Sequence, residues 1–232
     1  MNRTNPLDVI RSLIFYLVFY PGTMVCVLLV WLAAFAGDGP MRRRVRGWAR
    51  FHRFCCRWLL GIKLRIEGEL PNEGVLVALK HESFFEAIDL PAMMNYPAPF
   101  PKAELMDLPG WGWAASRYGA VTVMRDEGAK ALRAMVSSAR GFAAQGRPLA
   151  IFPEGTRVPH GTVAPLQSGF AGLYKLLNLP VVPVAVDSGR FYHRLWKKPG
   201  TVVIRVGQRI EPGLPREQVE AEVLQAINAL NG

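Results

Sequence analysis

One histidine and several acids stand close together in the segment KHESFFEAID. Ser83 and Glu86 have the S-x-x-E spacing of a capping box, which predicts that a helix begins at this point. Glu86 would lie in the first turn of that helix, where its carboxylate can reach an imidazole nitrogen of His81. Asp89, one turn further along, is the alternative partner, whereas Glu82 is expected to point outward. A carboxylate that orients an imidazole is a standard way to hold a general base in one tautomer near neutral pH.

The chain offers no good candidate for covalent catalysis. Its sequence contains no G-x-S-x-G elbow around a serine. The cysteines Cys26, Cys55 and Cys56 lack both the C-x-x-C spacing of a metal site and the even pairing of a disulfide framework. A histidine–carboxylate pair without a nucleophile indicates direct deprotonation of an acceptor hydroxyl, which then attacks an activated carbonyl. We therefore expect neither a metal ion nor another cofactor.

The elements that must position these residues alternate between strands and helices. Short aliphatic segments predict strands at 63–67, 75–79, 120–124, 149–152, 181–186 and 202–206. Apolar residues at helical spacing predict helices at 128–145, at 168–177 and, after Pro215, at the end of the chain. This alternation, with nearly continuous apolar strands, predicts an α/β fold. Its sheet would be mostly parallel, with about six or seven strands flanked by helices.

Three polar clusters follow predicted strands directly. VLVALK leads into the histidine segment, GAVTVM leads into Arg125 and Asp126, and LAIF leads into PEGTR. In open α/β sheets, ligands bind outside the carboxyl ends of the strands. This placement predicts that the three clusters are functional rather than incidental loops.

A strongly apolar segment without formal charge covers residues 13–36, a length of 24 residues. A membrane-spanning helix needs roughly 20 apolar residues, but Pro21 and Gly22 divide the segment into two short halves. Basic residues on both sides favour a cytosolic position for both ends. The sequence therefore predicts a helical hairpin that dips into one leaflet. A tilted single span with a proline kink and a cleaved signal peptide are the alternatives.

Positive charge is concentrated in the first 60 residues, which hold nine arginines against two acids, in a chain with a net charge of +10. The segment MRRRVRGWARFHRFCCRW interleaves arginine with aromatic residues directly after the apolar stretch. Such a segment suits an anionic lipid surface, so we expect membrane phospholipids rather than nucleic acid as its partner. We divide the chain into a membrane anchor at 1–60, comprising the hairpin and a basic amphipathic helix, and an α/β domain at 61–232.

The chain resembles the glycerolipid acyltransferase family, whose bacterial core members are 1-acylglycerol-3-phosphate acyltransferases. The matching blocks are HESFFE (81–86), GAVTVMR (119–125), FPEGTR (152–157) and VVPVAV (181–186), with the lysine–acid pair Lys102 and Glu104. They cover roughly residues 60–210, and FPEGTR together with the spaced histidine block is highly specific. The family's histidine block usually ends in aspartate, so Glu86 is one methylene longer. Val158 and Gln167 stand where serine and lysine are common.

The resemblance implies a reaction. A fatty acyl group would pass from coenzyme A or acyl carrier protein to the free hydroxyl of 1-acylglycerol-3-phosphate, making phosphatidic acid for phospholipid synthesis. His81 would be the general base, and Glu86 would hold it. The candidates for binding the acceptor's phosphate are Lys102, Arg125 and Arg157, and those for the substrate loop are Glu154, Gly155 and Thr156.

The resemblance also implies a location. The α/β acyltransferase domain would lie on the cytosolic face of the bacterial inner (cytoplasmic) membrane. Two other functions stay open at this stage. One is acyl transfer to another lysolipid acceptor, and the other is a noncatalytic membrane protein that binds acyl thioesters or lipids.

Overall fold

The computed structural model describes residues 5–123 and 128–232, which are built around a six-stranded sheet. The strands are β1 (Ile62–Glu67), β2 (Leu76–Leu79), β3 (Ala98–Pro99), β4 (Leu149–Ile151), β5 (Val181–Val186) and β6 (Gly200–Val206). They are ordered β1-β6-β5-β2-β4-β3 across the sheet. β5, β2, β4 and β3 run parallel, whereas β6 is antiparallel to β5 and β1 is parallel to β6. The predicted α/β fold with a mostly parallel sheet is confirmed.

Helices pack on both faces of this sheet. They are α1 (Pro6–Phe35), α2 (Asp38–Cys55), α3 (Phe84–Met93), α4 (Ala103–Met106), α5 (Trp111–Tyr118), α6 (Gly128–Ala144), α7 (Gly169–Leu177) and α8 (Arg216–Ile227). Successive side chains of a strand point to opposite faces, so β2 contributes to two cores. Val77 and Leu79 pack in the core that includes residues of α1, α2 and α3. Leu76 and Ala78 pack in the core that includes residues of α6, α7 and α8.

The prediction of a strand at 120–124 is wrong for residues 120–123, which the structure describes and which form no strand. Val123 forms an isolated parallel bridge with Lys102, without extending into a strand. The strand next to β4 is instead β3, Ala98–Pro99, which was not predicted from the sequence. Its segment PAPFP is rich in proline, which cannot donate to a ladder and argues against a central strand, although proline is tolerated at a sheet edge. The predicted positions Arg125 and Asp126 lie outside the described residues.

The N-terminal helix pair expected from the sequence is present, but its turn lies elsewhere. α1 continues through Pro21, and the chain reverses at Gly37, between α1 and α2. Gly22 serves close packing rather than a turn, because a Cβ at this position would lie 2.4 Å from the Cζ atom of Phe51 in α2. The basic segment therefore forms the second helix of the pair.

α1 has one side against the protein and one side exposed. Phe15 and Phe19 are buried in the same core as β2 and β5. Leu17, Met24 and Phe35 are exposed by 75%, 75% and 82%. Among the residues that the structure describes, α1 is the helix that is long and apolar enough to cross a membrane, judged by length and composition. This composition indicates membrane association of the N-terminal region.

Candidate active site

Two of the three predicted polar clusters, those that follow VLVALK and LAIF, meet at one end of the sheet. β2, β4 and β5 are parallel neighbours, so their carboxyl ends point in the same direction. β2 leads to His81, β4 leads to the loop that begins at Phe152, and β5 leads to Ser188. Lys102 follows β3, which is parallel to β4. Residues far apart in the chain are therefore gathered at the end of the sheet where α/β folds bind ligands.

The start of α3 fixes the position of Glu86. Ser83 is the N-cap, and its Oγ accepts a hydrogen bond from the Phe85 N–H at 3.0 Å. The Ser83 N–H donates back to Glu86 Oε1 at 2.7 Å, which completes the predicted capping box. The Glu82 N–H also donates to Glu86 Oε1, at 2.6 Å. These bonds hold the carboxylate over the segment that carries the histidine.

His81 and Glu86 form a hydrogen-bonded pair. The His81 Nδ1 lies 2.9 Å from Glu86 Oε1. Burial by itself raises the pKa of Glu86, but hydrogen bonds from His81, Ser188 and the Ser83 N–H outweigh burial and lower this pKa below its usual value. An ionised carboxylate only accepts hydrogen bonds, so we assign the proton of the imidazole to Nδ1. The Nε2 lone pair is then available, and no described residue bonds this nitrogen.

His81 is also held by a ring contact and by hydrogen bonds to its backbone. Its ring stacks on the ring of Phe152, with centroids 4.1 Å apart and planes 21° from parallel. The His81 carbonyl accepts from the Val158 N–H at 2.7 Å, and the His81 N–H donates to Glu154 Oε2 at 3.2 Å. The side chain of His81 keeps 16% of its surface exposed, so a substrate can reach the ring.

Asp89, the alternative partner for the histidine, is bonded elsewhere. Both of its carboxylate oxygens accept from the Arg53 guanidinium of α2, at 2.6 and 2.8 Å. Burial raises the pKa of Asp89, and Arg53 opposes this rise. α3 begins directly after Ser83, which places Asp89 one turn deeper than Glu86. Asp89 therefore joins α3 to the N-terminal helix pair rather than to His81.

A buried ion pair lies directly beside the histidine. The Lys80 ammonium donates to Glu154 Oε1 at 2.7 Å, to Asn228 Oδ1 at 2.8 Å and to the Thr162 carbonyl at 3.1 Å. The side chains of Lys80 and Glu154 are both fully buried. Lys80 and Asn228 were not predicted from the sequence, although a lysine that ends an apolar strand is a usable signal. Glu154 thus accepts from a cation and from the backbone of His81.

The loop after β4 carries the other predicted site residues. Gly155 has a φ of +67°, in the left-handed region that favours glycine. Thr156 and Arg157 are exposed, and the Arg157 guanidinium lies 4.1 Å from the centroid of the Phe84 ring. Arg157 is thereby brought to Phe84, the first residue of α3. Lys102 is exposed at the N-cap of α4, and no described contact joins it to that pair.

A second histidine–carboxylate pair lies beside the first. The His160 Nδ1 lies 3.0 Å from Glu82 Oε1, and the Gly189 N–H donates to Glu82 Oε2 at 2.8 Å. Burial raises the pKa of Glu82 to about 6. The expectation that Glu82 points outward was wrong, because the loop after β4 and the turn after β5 both fold over its side chain. Within residues 5–123 and 128–232, no cluster of His, Cys, Asp and Glu side chains forms a site that could hold a metal ion.

Together these contacts define an α/β protein with an oriented, accessible imidazole and an exposed arginine at the same end of the sheet. Such an arrangement can activate a hydroxyl on an anionic molecule. A family model described as "Acyltransferase" matches residues 61–187. This covers more than half of the chain, and the chain belongs to the acyltransferase family. The enzymatic class expected from the sequence motifs is thereby confirmed.

Relatives and solved structures agree with this membership. The chain is 29% identical to the 1-acyl-sn-glycerol-3-phosphate acyltransferase of Pseudomonas aeruginosa, over 96% of this chain and 86% of the relative. It is 25% identical to the human 1-acyl-sn-glycerol-3-phosphate acyltransferase alpha, over 92% of this chain and 76% of the relative. The crystal structure of the 1-acyl-sn-glycerophosphate acyltransferase from Thermotoga maritima superposes with a TM-score of 0.77 at 18% identity, covering 97% of this chain and 96% of the other. This last similarity shows that the two chains share a fold.

Proposed function

We propose that this enzyme transfers a fatty acyl group from an acyl thioester to the free hydroxyl of 1-acylglycerol-3-phosphate, which makes phosphatidic acid. The observation that carries the proposal is the His81–Glu86 pair, whose accessible Nε2 lies on the same end of the sheet as the exposed Arg157. Acyl transfer to a phosphorylated alcohol requires a base that removes the hydroxyl proton and a cation that binds the phosphate. The names of the relatives support this choice of acceptor.

The geometry suggests how the reaction proceeds. His81 Nε2 removes the proton from the acceptor hydroxyl while the hydroxyl oxygen attacks the thioester carbonyl carbon. Glu86 stabilises the imidazolium that forms and keeps Nδ1 protonated. When the tetrahedral intermediate collapses, the carbon–sulfur bond breaks and the thiolate takes the proton from His81. The products are the new ester and a free thiol, and the imidazole returns to its starting state.

We propose that residues 1–60 hold the enzyme at the membrane and that residues 61–232 carry the chemistry. The exposed apolar side of α1 would contact lipid acyl chains, and the arginines of α2 would contact anionic headgroups. The α/β domain would face the cytosol at the inner membrane. This placement would let the site meet its acceptor without extracting it, which would cost about 0.8 kcal/mol for each CH₂ group exposed to water.

We propose that Arg157, in the FPEGTR loop, binds the acceptor's phosphate, with Lys102 and Arg125 as further candidates. Replacing Arg157 by alanine is expected to raise the KM for 1-acylglycerol-3-phosphate by about 10- to 100-fold, because a charge-assisted contact to the phosphate is lost. The effect on kcat should be smaller. Initial rates at varied acceptor concentration measure both constants. Arg157→Lys serves as the matched control and should retain part of the affinity, and an unchanged KM in Arg157→Ala would remove Arg157 from the phosphate site.

The proposed function is tested by thiol release from an acyl thioester. The detergent-solubilised protein is given acyl-coenzyme A or acyl-acyl carrier protein, with and without 1-acylglycerol-3-phosphate. Release that depends on the acceptor supports the proposal, and the comparison of the two carriers identifies the donor. Release without any acceptor would indicate a thioesterase. Release only with a different lysolipid would overturn the proposed acceptor, and no release with any of them would overturn the proposed reaction.

A further inference from the structure

The turn after β5 reaches into the catalytic pair. Ser188 begins a short 3-10 turn, Ser188–Arg190, and is fully buried. Its hydroxyl donates to Glu86 Oε2 at 2.6 Å. The Ser83 hydroxyl lies 2.8 Å from Ser188 Oγ, so Ser83 can donate to Ser188 while Ser188 donates to Glu86. Ser188 therefore contacts the oxygen of Glu86 that faces away from the histidine.

The two oxygens of Glu86 have different surroundings. Oε1 accepts from His81 and from the backbone N–H groups of Glu82 and Ser83. Oε2 accepts from Ser188 at 2.6 Å and lies 3.1 Å from the Ser83 hydroxyl, which also caps α3. Bonds to Oε1 alone would let the carboxylate rotate about the bond to its Cγ atom. The contact with Ser188 at the far oxygen fixes the carboxylate plane, and thereby the direction of the bond to His81.

The hydroxyl of Ser188 is itself held in place by its neighbours in the chain. The Asp187 carboxylate accepts from the Val203 N–H of β6 at 2.6 Å. The Gly189 N–H donates to Glu82 Oε2 at 2.8 Å. The residues on both sides of Ser188 are thus tied to the sheet and to the segment before α3. A donor held in this way costs little reorganisation during the reaction.

We propose that Ser188 is a positioning residue for the His81–Glu86 pair. We also propose that Ser188 can act in this way on a glutamate at position 86 but not on an aspartate. The inference rests on the proposed function of that pair. A glutamate carboxylate can reach His81 with one oxygen and Ser188 with the other. An aspartate at this position would be shorter by one carbon–carbon bond, about 1.5 Å, and could not make both contacts. The bond between Ser188 and Glu86 thus depends on the additional methylene that distinguishes Glu86 from the usual aspartate of this block.

The proposal is tested by a double-mutant cycle with Ser188→Ala and Glu86→Asp. Ser188→Ala is expected to lower kcat by about ten-fold with little change in KM, since a hydrogen bond to a charged group is lost. In the Glu86→Asp background the same substitution should change kcat by less than about two-fold. Equal losses in both backgrounds would overturn the proposal. Ser12→Ala removes another buried serine hydroxyl, one in α1 that bonds Asp8 and Lys197, and is the matched control for loss of packing.

The pH dependence gives a readout that a purely structural serine would not move. Because the Ser188 bond helps to lower the pKa of Glu86, its removal should raise that pKa. The titration of the Glu86 carboxyl should then move to higher pH. Ser12→Ala should leave this titration in place. An unmoved Glu86 titration in Ser188→Ala would overturn the proposal even if kcat falls.

A measurement without turnover separates this proposal from the proposed function. With ¹³C-labelled glutamate, the Glu86 carboxyl resonance is assigned by its loss in Glu86→Gln, and its titration is followed in wild type and Ser188→Ala. A higher titration midpoint in the variant supports Ser188 as a positioning residue, and an equal midpoint overturns it. Both outcomes are readable even if acyl transfer itself is absent. Conversely, an active wild type with an inactive His81→Ala variant supports the proposed function whatever Ser188 does.

Discussion

Replacing His81 by alanine is expected to lower kcat for acyl transfer by about 10²- to 10⁴-fold, the usual range for the loss of a general base. The KM for the acceptor should change much less, because the phosphate would be bound by cations elsewhere in the site. The fold should survive, since His81 is partly exposed and Glu86 keeps its bonds to Ser188 and to backbone N–H groups. Steady-state thiol release at saturating substrates measures the effect.

The matched control for this substitution is His193→Ala, which removes an exposed histidine from another loop. It should retain wild-type kcat. If His81→Ala loses less than about ten-fold while the protein stays folded, another group is the base. That result would contradict the assignment of the imidazole, although not the membership of the family.

Replacing Lys80 by methionine is expected to lower the free energy of unfolding by about 3–5 kcal/mol, the range measured when one partner of a buried ion pair is removed. Glu154 would keep a buried charge without its cation, and the oxygens of Asn228 and Thr162 would lose a donor. Because Glu154 also accepts from the backbone of His81, activity should fall as well. Denaturant unfolding in detergent measures the loss.

Two controls make the stability prediction specific. The double variant Lys80→Met/Glu154→Gln removes both charges and should recover part of the lost free energy. Arg216→Ala breaks an exposed pair with Glu220 and should cost less than about 1 kcal/mol. If Lys80→Met and Arg216→Ala destabilise the protein equally, the buried network does not hold the loop after β4.

Local spacing was sufficient to predict the contact between His81 and Glu86. The S-x-x-E pattern fixes where α3 begins, and the start of a helix determines which side chain of the first turn reaches back over the preceding residue. For the same reason, local spacing could not exclude Asp89. Its exclusion depends on Arg53, 36 residues earlier in the chain, which reaches Asp89 only because α2 packs against α3.

Contacts between distant segments account for most of what the sequence did not reveal. Ser188 meets Glu86 across 102 positions, and Lys80 meets Asn228 across 148. A serine after a strand has no feature that marks it as a partner of a carboxylate. The N-terminal turn was misplaced for a related reason. Proline followed by Gly22 is a common turn signal, but here the glycine makes room for a ring of the next helix.

The site also connects the membrane-associated region to the chemistry. Arg53 of α2 bonds Asp89 on the helix that carries Glu86, and Phe85 packs in the same core as Phe15 of α1. The N-terminal pair therefore supports α3 directly. In the proposed enzyme, the position of His81 would therefore depend on how α1 and α2 lie at the membrane.

Acyl transfer to 1-acylglycerol-3-phosphate is tested most directly by following the acyl group itself. Acyl-coenzyme A, or acyl-acyl carrier protein if that is the donor, is supplied with a deuterated acyl chain together with 1-acylglycerol-3-phosphate, and lipids are analysed by mass spectrometry. We expect deuterated phosphatidic acid to form in step with thiol release and to be absent in His81→Ala. Deuterated free fatty acid without labelled phosphatidic acid would show that water is the acceptor and would contradict the proposed acyl transfer to 1-acylglycerol-3-phosphate.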